Sequence, residues 1–173
     1  IAYAEPDATA DVQAPFDALI NPLAKPEVNL PGPDPTTDHA WVANPIPASA
    51  TTAAERRCLA EVIYFEARSE PIRGQMAVAQ VVINRLKNPA YPGSVCGVVY
   101  QNQNWYNACQ FSFACDGIRD VIRDRVAWGI AQEIADAELD GDAVYLPEIG
   151  SATHYHAVYV HPDWAPTMQR MAQ

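Results

Sequence analysis

A glutamate interrupts the apolar stripe of the first strongly helical stretch of the sequence. Glu66 stands three residues after Ile63 and four after Val62, so its carboxylate shares a helix face with these apolar side chains. Because burying a carboxylate without a partner is costly, such a group usually keeps its proton at neutral pH through a raised pKa. A protonated carboxyl in a partly apolar pocket can act as a general acid, as it does in glycosidases. The alternative is a structural ion pair with Arg68 or Arg85.

Two helices are predicted to position this carboxylate. The first is expected to be capped by Thr51 or Thr52, with Glu55 at capping-box spacing from Thr52, and to run for about 17 residues, because apolar residues then recur at helical intervals. The second is expected to be capped by Ser69, with Pro71 in its first turn, and to end in the stretch 88–93. It is apolar on nearly every side, which predicts the central buried helix.

The rest of the chain predicts a long loop, a third helix and a small sheet. A glycine-, asparagine- and aromatic-rich loop extends to Gly117, and loops of this length are commonly functional. The third helix is expected from Asp120, with inward positions at Ile122, Val126, Trp128 or Gly129, Ile130 and Ile134. Residues 152–160 are rich in β-branched and aromatic side chains, which predicts a strand. The predicted fold class is α+β, mostly helical, with a small β-sheet.

Charge and hydropathy narrow the class of partner. The net charge is −10 and the pI about 4.6, which argues against nucleic acid or anionic lipid as the principal partner. No apolar run approaches the roughly 18 residues needed to cross a bilayer, so no transmembrane segment is expected. No basic region followed by an apolar stretch opens the chain, and its first residues predict a processed or trimmed terminus.

The first 50 residues differ in composition from the rest. They hold nine of the 15 prolines, seven acidic residues and one lysine, with no sustained helical or strand period. This composition is typical of an extended arm or linker. Scattered apolar residues such as Trp41 would let the arm dock onto its own domain or onto a protein partner. The predicted organisation is an arm over residues 1–50 and one folded domain over residues 51–173.

The four cysteines, Cys58, Cys96, Cys109 and Cys115, lack the paired spacing of structural zinc sites. In an oxidising compartment they predict disulfides, and three pairings are open. The short spacing of Cys109 and Cys115 favours a bond between these two, which leaves Cys58 with Cys96. Four buried free thiols are the alternative.

The sequence around Glu66 resembles the signature of the cell wall hydrolase family, which includes the spore-cortex-lytic enzymes. The main resemblance lies in residues 63–85, with the sequence IYFEARSEPIRGQMAVAQVVINR. Later segments agree with it in the family's order: VCGVVY at 95–100, CQFSF at 109–113, CDG at 115–117, THYHA at 153–157 and PDW at 162–164. Ser69 departs from the glycine usual at that position. The resemblance covers roughly residues 55–165, far more than a single motif.

This resemblance implies a lysozyme-like fold related to the lytic transglycosylases, with residues 51–173 as the catalytic domain. It also implies cleavage of the β-1,4 bond between N-acetylmuramic acid and N-acetylglucosamine in peptidoglycan, in the periplasm or envelope of a bacterium, with Glu66 as the catalytic residue. In the non-hydrolytic form of the reaction one carboxylate serves first as acid and then as base. Hydrolysis ordinarily needs a second carboxylate roughly 5 to 9.5 Å away, for which Glu70 and Asp116 are the candidates. No cofactor is expected.

Two later segments carry candidates for substrate binding. Aromatic rings can stack on sugars and polar groups can bind N-acetyl groups. In the loop between the last two cysteines the candidates are Gln110, Phe111, Ser112 and Phe113. The predicted strand and its end offer Tyr155, Tyr159 and Trp164 for the opposite wall. Ordinary loop and core packing is the alternative for both sets.

Other polar residues are expected to be structural. Gln75 and Asn84 on the second helix favour hydrogen bonding within the protein over substrate contact. His154 and His156, with Asp116 or His161, would form a zinc ligand set, but no H-E-x-x-H motif accompanies them, so satisfied histidines are favoured and no metal is expected.

Two other functions fit parts of the sequence. An N-acetylmuramoyl-L-alanine amidase would cut the stem peptide rather than the glycan. A structural subunit of a cell-envelope assembly would use the arm for docking to a partner and the domain as an anchor to the wall.

Overall fold

Four α-helices form the framework of the described residues. The computed structural model describes residues 31–105, 109–156, 161, 163 and 165–168, and contacts divide the chain into Ile1–Leu30 and Pro31–Gln173. The helices all belong to the second unit: α1 (Ala53–Ala67), α2 (Ile72–Lys87), α3 (Val95–Val99) and α4 (Arg125–Asp140). Short 3₁₀ turns lie at Ala40–Ala43, Ala48–Thr51, Ser112–Ala114 and Ala165–Thr167.

Helix α1 begins with the predicted N-cap. Thr52 Oγ1 accepts a hydrogen bond from the Glu55 backbone N–H at 3.4 Å. The Glu55 carboxylate points away from this cap, and its Oε2 accepts from the Cys96 backbone N–H at 3.0 Å. Glu55 therefore connects the start of α1 to α3. The α1 residues Val62 and Ile63 are fully buried in the core.

Helix α2 is the central buried helix, as predicted, but the prediction that Ser69 caps it is wrong. Pro71 occupies the N-cap position, and its carbonyl accepts from the backbone N–H groups of Gly74 and Gln75 at 2.8 and 3.1 Å. Because proline fixes its own φ and has no N–H to satisfy, it suits the start of a helix without a side-chain cap. The helix ends at Asn88, in the predicted stretch.

Helix α3 falls where the sequence predicted only a loop. Ser94 Oγ caps it by accepting from the Gly97 backbone N–H at 3.0 Å. A side chain at Gly97 would place its Cβ 2.7 Å from that hydroxyl, so glycine is what allows the cap. A helix of five residues is too short to show a hydrophobic period, which is why the pattern missed it.

Helix α4 begins at Arg125, five residues later than predicted, and Asp124 provides its cap. The Asp124 carboxylate accepts from the backbone N–H groups of Val126 and Ala127 in the first turn, each at 3.0 Å. Val126, predicted to point inward, is 75% exposed, whereas Ile134 is buried as predicted. The helix ends at Gly141, whose φ of 77° suits glycine.

The predicted β-sheet is wrong for the part of the chain that the structure describes, where no strand is formed. Residues 152–156 have irregular backbone, and residues 157–160 lie outside the described residues. The reason is that side chains of α2 take the place of a partner strand. Asn84 Nδ2 donates to the carbonyls of Gly150 and Ala152, each at 2.8 Å, and Arg85 Nε donates to Thr153 O at 2.6 Å. The described fold is therefore helical.

The structure confirms both favoured disulfides. Cys58–Cys96 joins α1 to α3, and Cys109–Cys115 closes a short loop. No cysteine remains free.

Residues 38–50, assigned from composition to the arm, contact α2 and the segment that follows α4. Lys87 Nζ donates to the carbonyl of the buried Val42 at 3.0 Å, Asn44 Nδ2 donates to Lys87 O at 3.2 Å, and Tyr145 O–H donates to Asp38 at 2.7 Å. The division of the chain at residue 50 and a protein partner for residues 1–50 stay predictions. Within the described ranges, no helix is both long and apolar enough to cross a bilayer.

Candidate active site

Glu66 is the penultimate residue of α1, and its side chain is partly buried. Burial raises the pKa of its carboxyl, while hydrogen bonds from Tyr155 and Ser112 oppose the shift. Over the described residues Glu66 forms no ion pair. The guanidinium carbon of Arg68, the residue that follows α1, lies 5.2 Å from the ring centroid of Tyr64, and Arg85 donates to Thr153 O. The predicted alternative of a core ion pair is therefore not what the structure forms, and the carboxyl favours keeping its proton.

Two hydroxyl groups face the two oxygens of this carboxylate. Ser112 Oγ lies 3.5 Å from Oε1 of Glu66, and the Tyr155 hydroxyl lies 3.5 Å from Oε2. These distances are at the long end for hydrogen bonds. Burial raises the pKa of Tyr155, and the charge of Glu66 raises it further, so the phenol stays protonated and able to donate. Glu66 is thus held between two segments that are distant in the sequence.

The loop between Cys109 and Cys115 supplies the first of these segments. Phe113 is 7% exposed and stacks on Phe65 of α1, with the two ring centroids 5.0 Å apart. Phe111 is 2% exposed. Both rings therefore pack inside the protein, where they fix the loop that carries Ser112, and a role for them in stacking on sugars stays a prediction.

Gln110, also predicted to bind substrate, contacts a buried arginine. In the amide orientation that satisfies both side chains, its oxygen accepts from Nη1 and Nη2 of Arg85, each at 3.0 Å. Arg85 is 1% exposed. The geometry therefore gives the Gln110 amide a partner within the protein.

The two candidates for a second carboxylate differ in their surroundings. Glu70 is exposed in the turn between α1 and α2, where its main-chain carbonyl accepts from Gln75 Nε2 at 3.0 Å. Asp116 lines a cavity together with Ser112 and the Cys109–Cys115 disulfide, and its Oδ1 accepts from the Ile118 N–H at 2.7 Å. Because Ser112 also faces Glu66, Asp116 is the candidate that shares a cavity with a neighbour of Glu66, although Glu66 itself does not line that cavity.

The opposite wall is described only in part. Tyr155 is 41% exposed, and its ring centroid lies 6.5 Å from that of Phe111. Tyr159 and Trp164 lie outside the described residues, so their predicted place in a groove is untested. Among the described histidine, cysteine and acidic side chains, no group of three lies close enough together to hold a metal. Burial, and then the charge of Arg85, lowers the pKa of His154.

Polar side chains of α2 anchor this wall, a role that the sequence pattern did not predict. Gln80 Nε2 donates to the carbonyls of Leu146 and Gly150, each at 3.1 Å, and its Oε1 accepts from the Leu146 N–H at 2.7 Å. Asn84 continues the pattern one turn later, which confirms its predicted structural role. The available signal was three polar residues, at 80, 84 and 85, within the otherwise apolar run 76–86.

Curated relatives resemble this chain over part of their length. A spore cortex-lytic enzyme of Oceanobacillus iheyensis is 46% identical over 96 residues, which is 55% of this chain and 33% of the relative. The spore cortex-lytic enzyme of Halalkalibacterium halodurans is 39% identical over 71 residues, 40% of this chain and 21% of the relative. That of Bacillus subtilis is 51% identical over 45 residues, 26% of this chain and 15% of the relative. The chain thus spans a third or less of the relatives it matches. The comparison with solved structures gives no significant match.

A family model described as Cell Wall Hydrolase matches residues 69–173, more than half of the chain. The matched range begins three residues after Glu66, so the assignment of this glutamate depends on its own geometry and not on the family match. The range does include both hydroxyl groups that face Glu66, Asp116, and the polar residues of α2. With the match covering this much of the sequence, the chain belongs to the cell wall hydrolase family.

Proposed function

We propose that the chain is a peptidoglycan hydrolase that cleaves the β-1,4 bond between N-acetylmuramic acid and N-acetylglucosamine, with Glu66 as its catalytic acid. The observation that carries the proposal is the Glu66 carboxyl itself. It is partly buried, its pKa is raised, and each of its oxygens faces a hydroxyl donor. Family membership and relatives named spore cortex-lytic enzymes support the substrate class.

The proposed reaction is that of a lytic transglycosylase, in which Glu66 acts twice. The protonated carboxyl first gives its proton to the bridging oxygen, and the bond from that oxygen to C1 of the muramoyl residue breaks. The carboxylate that remains is stabilised by the hydroxyls of Ser112 and Tyr155. It then takes the proton of the muramoyl 6-hydroxyl as that oxygen bonds to C1 and closes a 1,6-anhydro ring. The proton balance closes, because Glu66 ends protonated as it began.

Hydrolysis is the alternative route, and Asp116 is the residue on which it would depend. A second carboxylate would have to activate water or form a covalent intermediate. The cavity that Asp116 shares with Ser112 favours it over Glu70 for this role. An Asp116→Asn variant should keep most of its activity on the transglycosylase route and lose it on the hydrolytic route.

The test is digestion of purified peptidoglycan, with the products identified by mass spectrometry. We expect 1,6-anhydromuramic ends. Reducing ends that carry an oxygen atom from isotopically labelled water would instead show a muramidase, and freed stem peptides would show an amidase. Glu66→Gln should abolish glycan cleavage, whereas Glu133→Gln, which changes an exposed glutamate of α4, should leave it intact. A fully active Glu66→Gln variant would refute the assignment.

The proposed location is the cell envelope. Both cysteine pairs are oxidised in the structure, and disulfides persist in oxidising compartments outside the cytosol. The proposed substrate lies in the same place. Retention of both disulfides in protein isolated from the envelope, measured by thiol labelling, is expected.

A further inference from the structure

Arg85 is a buried cation that contacts four residues from three separate parts of the chain. It is 1% exposed, and its Nε donates to Thr153 O at 2.6 Å. Its Nη1 and Nη2 both donate to the Gln110 side-chain oxygen at 3.0 Å. Its guanidinium carbon lies 5.6 Å from the ring centroid of Tyr91 and 5.3 Å from that of Phe111.

These contacts compensate a costly burial. A buried charge needs polar partners, and no carboxylate forms an ion pair with Arg85 in the described part of the chain. The planar guanidinium instead uses its fork of donors on neutral oxygens and its faces on aromatic rings. A lysine at this position would keep the charge, but it could not make the same set of bonds. The arrangement is therefore specific for arginine.

Two partners of Arg85 are close in the sequence to the residues whose hydroxyl groups face Glu66. Gln110 is two residues before Ser112, and Thr153 is two residues before Tyr155. The rings of Phe111 and Tyr155 lie 6.5 Å apart, so the two segments also approach each other. One guanidinium is thus bonded to both of the segments that bring a hydroxyl to the Glu66 carboxylate.

We propose that Arg85 is a positioning residue of the active site. By bonding Gln110 and Thr153 it holds the hydroxyls of Ser112 and Tyr155 against the two oxygens of Glu66. Its consequence for catalysis rests on the proposed function, whereas its effect on the Glu66 environment does not.

The electrostatic effect of losing this support has a definite sign. Hydrogen bonds from Tyr155 and Ser112 lower the pKa of Glu66 against the effect of burial. The charge of Arg85 also lowers the pKa of Tyr155, which strengthens that phenol as a donor. If Ser112 and Tyr155 withdraw, the carboxylate loses its donors and the pKa of Glu66 rises further. Activity that requires the protonated acid would then persist to higher pH while the maximal rate falls.

The experiment uses the full chain with Gln110→Met, which removes the shared acceptor of Nη1 and Nη2. Gln132→Met, on the exposed side of α4, is the matched control. On peptidoglycan we expect kcat to fall by about 10- to 100-fold with KM little changed, since small displacements of catalytic groups have effects of this order. Carboxyl-carbon NMR titration of the free protein, with the Glu66 resonance assigned from Glu66→Gln, should show its pKa moved upward. The control should match the wild type in both measurements.

A second variant, Arg85→Lys, keeps the charge and removes the fork, with the exposed Arg57→Lys as its control. We expect the same fall in kcat and the same upward shift of the pKa of Glu66. Thermal unfolding establishes which variants are folded, and a folded Gln110→Met variant alone is enough to decide the question.

Two results would overturn the proposal. One is a folded Gln110→Met variant with wild-type kcat and a wild-type Glu66 titration. The other is a raised KM with an unchanged Glu66 titration, which would assign Gln110 to the substrate. If Glu66→Gln stays active, the proposed function fails, yet the titration still decides whether Arg85 controls the environment of Glu66.

Discussion

Removing each disulfide in turn should separate stability from activity. The Cys58–Cys96 bond spans a sequence separation of 38 residues, and the Cys109–Cys115 bond spans 6. On the chain-entropy estimate, losing the longer closure costs about 4 kcal/mol of unfolding free energy and losing the shorter closure about 2 kcal/mol. Activity should follow the reverse order, because the shorter loop carries Ser112, which faces Glu66, whereas the longer closure joins α1 to α3.

The assay pairs denaturant unfolding with peptidoglycan cleavage, on the double serine variants of each cysteine pair. The Cys58 and Cys96 variant should unfold at lower denaturant concentration, yet keep most of its kcat under conditions where it is folded. The Cys109 and Cys115 variant should be the more stable of the two and the less active. Full activity in a folded Cys109 and Cys115 variant would refute the idea that loop closure positions Ser112. Equal loss of activity in both would show that the site responds to stability alone.

Three further predictions concern single side chains. Burial raises the pKa of Glu138 from 4.5 to about 7, so the folded state holds this proton more tightly and the unfolding free energy should fall by about 3 kcal/mol as pH rises through that interval. Glu138→Gln should flatten this pH dependence in denaturant titrations. An unaltered dependence of the unfolding free energy on pH would contradict the assignment. Tyr155→Phe removes a hydrogen-bond donor that lowers the pKa of Glu66, so kcat should fall and the alkaline limb of the pH–rate profile should move to higher pH. A shift of that limb to lower pH would be inconsistent with donation by Tyr155. The side-chain hydroxyl of Tyr64 accepts from two backbone N–H groups just before α4, at 3.0 and 3.1 Å, so Tyr64→Phe should cost about 1 to 3 kcal/mol of unfolding free energy. No loss in thermal unfolding would mean that water replaces the hydroxyl.

Local patterns predicted the parts of the fold that local chemistry determines. The Thr52 cap, the central buried α2 and the disulfide pairing all follow from short-range spacing or from a sustained period of apolar residues. The predicted start of α4 at Asp120 was wrong because the helix is capped by the next aspartate in the sequence, Asp124. The hydroxyl of Tyr64 accepts from the backbone N–H of Asp124 and so fixes this residue at the start of the helix. The two residues are 60 positions apart in the sequence, so no local pattern shows the contact.

The sheet was wrong for a related reason. β-Propensity describes how well side chains fit a pleated surface, but a strand also needs a partner backbone. Here Asn84 and Arg85 supply the hydrogen bonds to residues 150–153, and no local pattern around those residues indicates this.

The candidate site was predictable at its centre and not at its edges. Glu66 stood out because a charge on an apolar stripe needs an explanation, and its partial burial and raised pKa agree with that expectation. The sequence named Ser112 and Tyr155 as substrate-binding candidates, whereas the structure places their hydroxyls on Glu66 itself. The contacts of Arg85 could not be predicted from local sequence patterns, because its partners Gln110 and Thr153 lie 25 and 68 residues away in the sequence.

The bonds from α2 to residues 150–153 end on main-chain carbonyl oxygens. Every amino acid carries such an oxygen, so substitutions at Ala152 or Thr153 would leave the anchor in place. The donors on α2 have no such freedom, because only their own side chains reach these oxygens. Selection can therefore change the side chains at 152 and 153 while the three polar side chains of α2 stay fixed. Relatives with different glycan preferences should differ at positions 152 and 153 and agree at positions 80, 84 and 85.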